Sequence, residues 1–350
     1  MTQRFRKVLS IAASAAMLCS MLLYLPEDHR LGSWLASAEE VSAEPEGEGT
    51  AESPYQISNA DQLYWFAEHA DTSAHAKLTD DIVVNENLVN SVGNLNSGSY
   101  RSWTPIGNLE ATLGYTCAFS GTFDGDGHTI SGLYDDVGRS YVGFVGELSG
   151  SGTVKNLGIV DSWFRGYERN GGICGENAGT ITHCYFSGTI KTEVGSAGGI
   201  CGENSGTITN SYNMGLVNGI AASGGMGGVC GENTGTITNS YNTGSVVAGT
   251  YCTGDSCGGV CGRNEGTIRN VFNSGTLSHD SDRVYLGGLC GTNTSGATLE
   301  YGYNIGKLNA EGAALLFSGG VCVTPHGSIS HCWYNSDVFG GNAFAAGEAD

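Results

Sequence analysis

Three stretches decide how this chain is read: GGICGENAGTITHCYFSG at 171–188, GGICGENSGTITNSYNMG at 198–215 and GGVCGENTGTITNSYNTG at 227–244. The opening Gly-Gly doublet returns at Gly258-Gly259, Gly287-Gly288 and Gly319-Gly320, so successive doublets lie 27, 29, 31, 29 and 32 residues apart. A constant text followed by a segment of varying length marks a repeat architecture, with one supersecondary unit per repeat and the variation confined to loops. Val142-Gly143-Phe144-Val145-Gly146-Glu147 opens a degenerate unit at the front, as terminal repeats do beside a cap, which brings the number of units to seven.

The units are too rich in glycine for helical repeats, and their Ile-Thr-Asn-Ser-Tyr runs favour strand. One coil of a β-solenoid per unit satisfies both facts, and in-register stacking at about 4.8 Å turns every repeat position into a ladder. Ile181, Ile208, Ile237, Ile268, Leu299 and Ile329 form an aliphatic row. Four residues later come Tyr185, Tyr212, Tyr241, Phe272, Tyr303 and Trp333. At a period of two these aromatics share the aliphatic face and read as core; were they exposed, they are the candidate ligand-binding residues. Between the two rows, His183, Asn210, Asn239, Asn270, Tyr301 and His331 form either a side-chain amide ladder or a bend between strands.

The remaining chain is read around this core. Among 350 residues, 15 Lys+Arg stand against 35 Asp+Glu, a net charge of -20, which removes the electrostatic footprint of a nucleic-acid binder. Residues 1–38 read as a signal peptide, with Arg4, Arg6 and Lys7 before an apolar run and Ala36-Ser37-Ala38 before the cleavage point, so a secreted or cell-surface location is expected. Residues 39–53 read as a solvated acidic linker. Residues 54–140 read as an N-terminal cap with entry coils, residues 141–340 as solenoid and 341–350 as a tail. Within the cap, 59–70 reads as a helix capped by Ser58 with Asp61 as its partner, and 82–84, 104–106 and 119–133 as short strands.

These residues resemble the GLUG-motif family of bacterial surface proteins, which includes filamentous-haemagglutinin-like adhesins and the non-catalytic part of some immunoglobulin A peptidases. The specific part is GG-[IVL]-C-G-E-N-x-G-T-I-T-N-S-Y-N between Tyr141 and about Asn335. The region from Gly49 to Leu133 looks like the entry segment of such proteins. The resemblance implies an all-β, right-handed parallel β-helix and a surface or secreted location, and it implies no reaction.

Each chemical constellation has a bland reading beside it. Cys174, Cys201, Cys230, Cys261, Cys290 and Cys322 occupy one row, which cannot surround zinc tetrahedrally and whose parallel Cβ vectors disfavour disulfides; they read as small packed side chains. Because Ile173 and Cys174 are adjacent, an uninterrupted strand would bury only one of them, whereas a bend would bury both. Cys252, Cys257 and Cys261 have the nearest approach to a metal spacing, without an evident fourth ligand. The row Glu147, Glu176, Glu203, Glu232 switches to Arg263 and Thr292, and reads as solvated or sharing a cation. Asp124-Gly125-Asp126-Gly127 reads as a tight turn. Asp80-Asp81 and Asp135-Asp136 are nominal acid pairs, but neighbours on a strand point to opposite faces.

No H-E-x-x-H metalloprotease motif and no phosphate-loop motif is present in the sequence. The expectation is a non-catalytic β-solenoid module without cofactor or metal, engaged in adhesion or in binding a host or microbial surface glycan or protein. A carbohydrate-active enzyme on a β-helix and a structural spacer of a larger surface protein or peptidase are the competing readings. The final unit departs at Pro325 and offers no covering helix, so the expectation is an open end that is either a truncation of a longer surface protein or a site of self-association.

Overall fold

The computed structural model describes residues 44–107, 117–220, 224–249, 257–279, 283–309 and 315–339, all within the unit from Ser42 to Asp350. The signal segment at 1–38, Cys252 and the tail at 341–350 lie outside the described residues. Among the described residues, no helix is long and apolar enough to cross a membrane.

The chain is an all-β, right-handed parallel β-solenoid. The Cys-Gly-Glu-Asn segments pair into a seven-stranded sheet, one strand per unit from Val145–Leu148 to Cys322–Pro325. Strands at the doublets form a six-stranded sheet from Asn170–Gly171 to Leu315–Gly319. The Thr-Ile-Thr segments, the strands after them and the entry coils make up a third, larger sheet. Register follows the repeat: Ile181 pairs with Ile208, Ile208 with Ile237, Ile237 with Ile268, Ile268 with Leu299 and Leu299 with Ile329. All but Ile329 are fully buried.

Two bends set which side chains face inward. Between the six- and seven-stranded sheets, the successive amides of Ile173 and Cys174 both donate to Ile200 O, each at 3.0 Å, and those of Ile200 and Cys201 both donate to Val229 O. Two neighbouring N–H groups can aim at one carbonyl only where the strand turns sharply, so both rows are buried. The second bend falls on His183, Asn210, Asn239, Asn270, Tyr301 and His331, whose φ values lie between 50 and 55°. Asparagine tolerates this left-handed conformation better than most residues. Of the two readings of that row, the bend is realised, with one side-chain rung from Asn270 Nδ2 to Asn239 Oδ1 at 3.2 Å.

The left-handed residue restarts the alternation of side chains. The aromatic row therefore points outward, which corrects the expectation that it shares the core face with the isoleucines. Its successors, Phe186, Asn213, Asn242, Asn273 and Asn304, point in and are fully or almost fully buried. The second glycine of each doublet makes room for them: a Cβ on Gly228 would lie 2.2 Å from Asn242 Cγ, and one on Gly172 2.3 Å from the Phe186 ring. The asparagines form an interior ladder, Asn213 to Asn242, Asn242 to Asn273 and Asn273 to Asn304, at 2.8, 2.9 and 2.9 Å. A second ladder runs through Asn177, Asn204, Asn233, Asn264 and Asn293 with links of 2.6 to 2.8 Å. Buried amides are tolerable here because each is satisfied by the next.

The N-terminal end is covered by helix α1 (Ala60–His69). Its cap is Asn59, whose side chain accepts from Gln62 N, and Gln62 Oε1 accepts from the Ser58 amide. The capping pair thus sits one residue later than the expected Ser58 and Asp61. Leu63, Tyr64 and Phe66 face an aromatic cluster with Trp103, Phe119, Phe123 and Phe144. Residues 44–53 do not run free as a linker: Gln56 N donates to Glu46 O and His75 N to Gly49 O, at 2.7 and 2.8 Å. Strands Tyr55–Ile57 and Ala76–Leu78, which the sequence reading missed, pair with each other. The expected strand at 104–106 is reduced to a bridge between Ile106 and Val145.

Candidate ligand-binding face

The outward aromatics form a column along the solenoid. Tyr212 stacks on Tyr185 and on Tyr241, with centroids 5.1 and 4.6 Å apart and planes within 5 and 3°. Tyr241 is in register with Phe272, which stacks on Tyr303 at 6.1 Å, and Tyr303 pairs with Trp333. Exposure rises toward the C-terminal end, to 44% at Tyr303 and 56% at Trp333, while Tyr185, Tyr212, Tyr241 and Phe272 are half-buried. At the other end the Tyr185 ring lies over Gly158, where a Cβ would come within 2.4 Å of it. Burial first, then Tyr212, pushes the Tyr185 and Tyr241 phenols up.

This geometry defines the column's chemistry. Ring faces inside the stack are occupied by other rings, so solvent meets edges and hydroxyls. Such a surface makes hydrogen bonds and edge contacts rather than offering broad platforms. Two residues on, Ser187, Met214, Thr243, Ser274 and Ile305 form a parallel outward row, with Met214 45% exposed.

The other nominated groups are held in structural roles. Glu147, Glu176, Glu203 and Glu232 are in register, followed by Arg263 and Thr292. Sequence reasoning missed their neutralising cation: Arg169 lies 2.7 Å from Glu203 and 3.5 Å from Glu176, and donates to Tyr141 Oη at 2.6 Å. Arg169 has a φ of 55° at the edge of a variable segment, so no spacing pointed to it. Burial and the neighbouring Glu176, opposed by Arg169, push the Glu147 carboxyl up.

In the Asp124–Gly127 turn, Lys155 and Lys77 pair with Asp124 and Asp126 at 3.1 and 2.9 Å. Burial would raise Asp124, but the Asn156 amide, the Asp126 N–H and Lys155 hold it below its usual range. Asp135 is fully buried 3.3 Å from Arg139, whereas Asp136 pairs with Arg165 at the surface, so the two carboxyls do diverge. Burial, opposed by Arg139, pushes Asp135 up to about 6.

The six cysteines of the row are free thiols, fully buried. Cys174, Cys201 and Cys230 donate to the carbonyl two residues on at 3.0, 2.9 and 3.1 Å. Among the described residues, no group of three or more His, Cys, Asp or Glu side chains is placed to hold a metal ion.

Stacked coils, interior amide ladders and an outward aromatic column together define a parallel β-solenoid repeat protein. Residues 166–191 match the GLUG motif. The chain is 34% identical over 154 residues to halomucin of Haloquadratum walsbyi, a match covering 43% of this chain and 2% of halomucin. The fold is similar to the crystal structure of a candidate immunoglobulin A1 protease from Bacteroides ovatus, with a TM-score of 0.58 at 18% identity over 83% of this chain and 87% of that one.

Proposed function

We propose that this chain is an exported, cell-surface or secreted, non-catalytic module that binds a glycan or protein ligand on its outer face. The observation that carries this reading is the aromatic column: six aromatic side chains in register, directed away from a core that is complete without them. Aromatic surface left in water costs stability, and its persistence through six coils is accounted for by contact with a partner. The acidic surface restricts that partner to a neutral or cationic one and disfavours nucleic acid and anionic membranes. An extracellular setting agrees with the apolar N-terminal run and with similar proteins named for a mucin and an immunoglobulin protease.

The test is a binding screen on glycan and protein arrays, run beside a reducing-sugar release assay. Binding without turnover supports the module. Sugar release establishes a carbohydrate-active enzyme instead, and the absence of both leaves a structural spacer.

A further inference from the structure

We propose that the groove between the turn at 89–93 and the coils at Gly188, Gly215 and Gly244 is a binding site for a neutral oligosaccharide. This rests on the reading of the outer face as ligand-binding and names the place and the ligand class. The groove has a volume of about 350 Å3, enough for a small ligand or a short segment of a polymer. It adjoins the aromatic column: Met214 and Thr243 stand two residues beyond Tyr212 and Tyr241 on the same outward side. Its floor repeats coil by coil, so the groove runs along the solenoid axis and suits an extended chain.

The wall is built rather than incidental. The Asp161 carboxylate accepts from the amides of Leu88 and Val89 at 3.2 and 3.0 Å. Asn90 Oδ1 accepts from Val92 and Asn94 at 3.1 and 3.0 Å, and Thr189 Oγ1 donates to Gly93 O at 2.8 Å. Leu88 is fully buried beneath it. Side chains from two coils thus hold the turn in place before any ligand arrives, which lowers the ordering cost of binding.

The lining fixes the class. It contains no Asp, Glu, Lys, Arg or His, although the chain carries a net charge of -20. A carboxylated, sulfated or phosphorylated ligand would find no counter-charge and would enter a repulsive field, and a cationic one would find no carboxylate in contact. The groove does offer the hydroxyls of Thr243 and Ser245, the half-buried backbone of Gly93 and Gly188, and the apolar surfaces of Met214 and Leu216. Hydroxyls beside small apolar patches match the alternating O–H and C–H surfaces of a neutral sugar.

The experiment measures affinity for neutral and anionic oligosaccharides using the whole chain and the variants Met214→Glu, Thr243→Glu and Tyr241→Ala, with circular dichroism confirming the fold. Neutral oligosaccharides should bind and anionic ones should not, and each groove variant should weaken binding at least tenfold, while Thr243→Ser retains it. Full affinity in both groove variants together with loss in Tyr241→Ala overturns the groove and leaves the ligand-binding reading standing. Capture of anionic glycans or of proteins alone overturns the neutral class. Binding of nothing on either array overturns both.

Discussion

Asn213 and Asn242, 29 residues apart in sequence, are joined in the interior by a 2.8 Å hydrogen bond from Asn213 Nδ2 to Asn242 Oδ1. Asn242 in turn donates to Asn273 and receives the Gly244 amide. Replacing it with Leu strands a buried donor on Asn213, removes one of the two bonds held by Asn273 Oδ1, and forces bulk against Gly228. Asn242→Leu should cost about 2–3 kcal/mol, read as a lower urea midpoint at unchanged slope. An unaltered midpoint would show that the ladder contributes nothing.

Ile237 is fully buried between Ile208 and Ile268. Ile237→Asp places an unpaired carboxylate in the stack, and a loss of about 4 kcal/mol or more is expected. Because burial favours the neutral acid, the loss should shrink in mildly acidic buffer. Thermal melts at two pH values check both statements.

At the left-handed bend, Asn239 has a φ of 50°. Asn239→Gly should be close to neutral, whereas Asn239→Val should destabilise by about 1–2 kcal/mol, since a β-branched residue resists this conformation. The pair separates backbone strain from loss of the side chain, which both variants share.

Asp135 is held at about 6, raised by burial and opposed by Arg139. A carboxyl whose folded pKa exceeds its unfolded value of about 3.9 binds more protons when native, so its contribution to stability falls as pH rises through the interval between the two. Asp135→Asn should flatten this decline between about pH 4 and 6 and raise the melting temperature at pH 7.5 relative to pH 4.5. A variant with the same pH slope as the parent would remove the assignment.

Much of this was legible because a repeat aligned with itself reports register directly. The pairing of Ile181 with Ile208, the glutamate row and the seven coils could be read from spacing alone. What failed was facing. Period-two counting carried Tyr212 onto the isoleucine side because it ignored the corner at Asn210, and a left-handed residue leaves only a residue-type preference as its signal. The same error hid Asn213, an amide that composition assigns to the surface. The wall of the groove, built from Asp161 and residues more than 70 positions earlier, lies outside any repeat and left no periodic trace.

In both ladders each amide gives its hydrogen to the following coil, and each one after the first, Asn213 and Asn177, takes one from the coil before. The small electric dipoles of these side chains therefore do not cancel; they add along the solenoid, with the positive end toward the C-terminus. The chains terminate on backbone carbonyls, Asn304 on Gly320 O and Asn293 on Ser328 O, at 3.0 and 3.2 Å. The core thus has a polarity of its own, independent of the charged surface. Evolution can duplicate or excise a whole coil and leave that polarity unbroken, because every coil enters the chain with the same orientation.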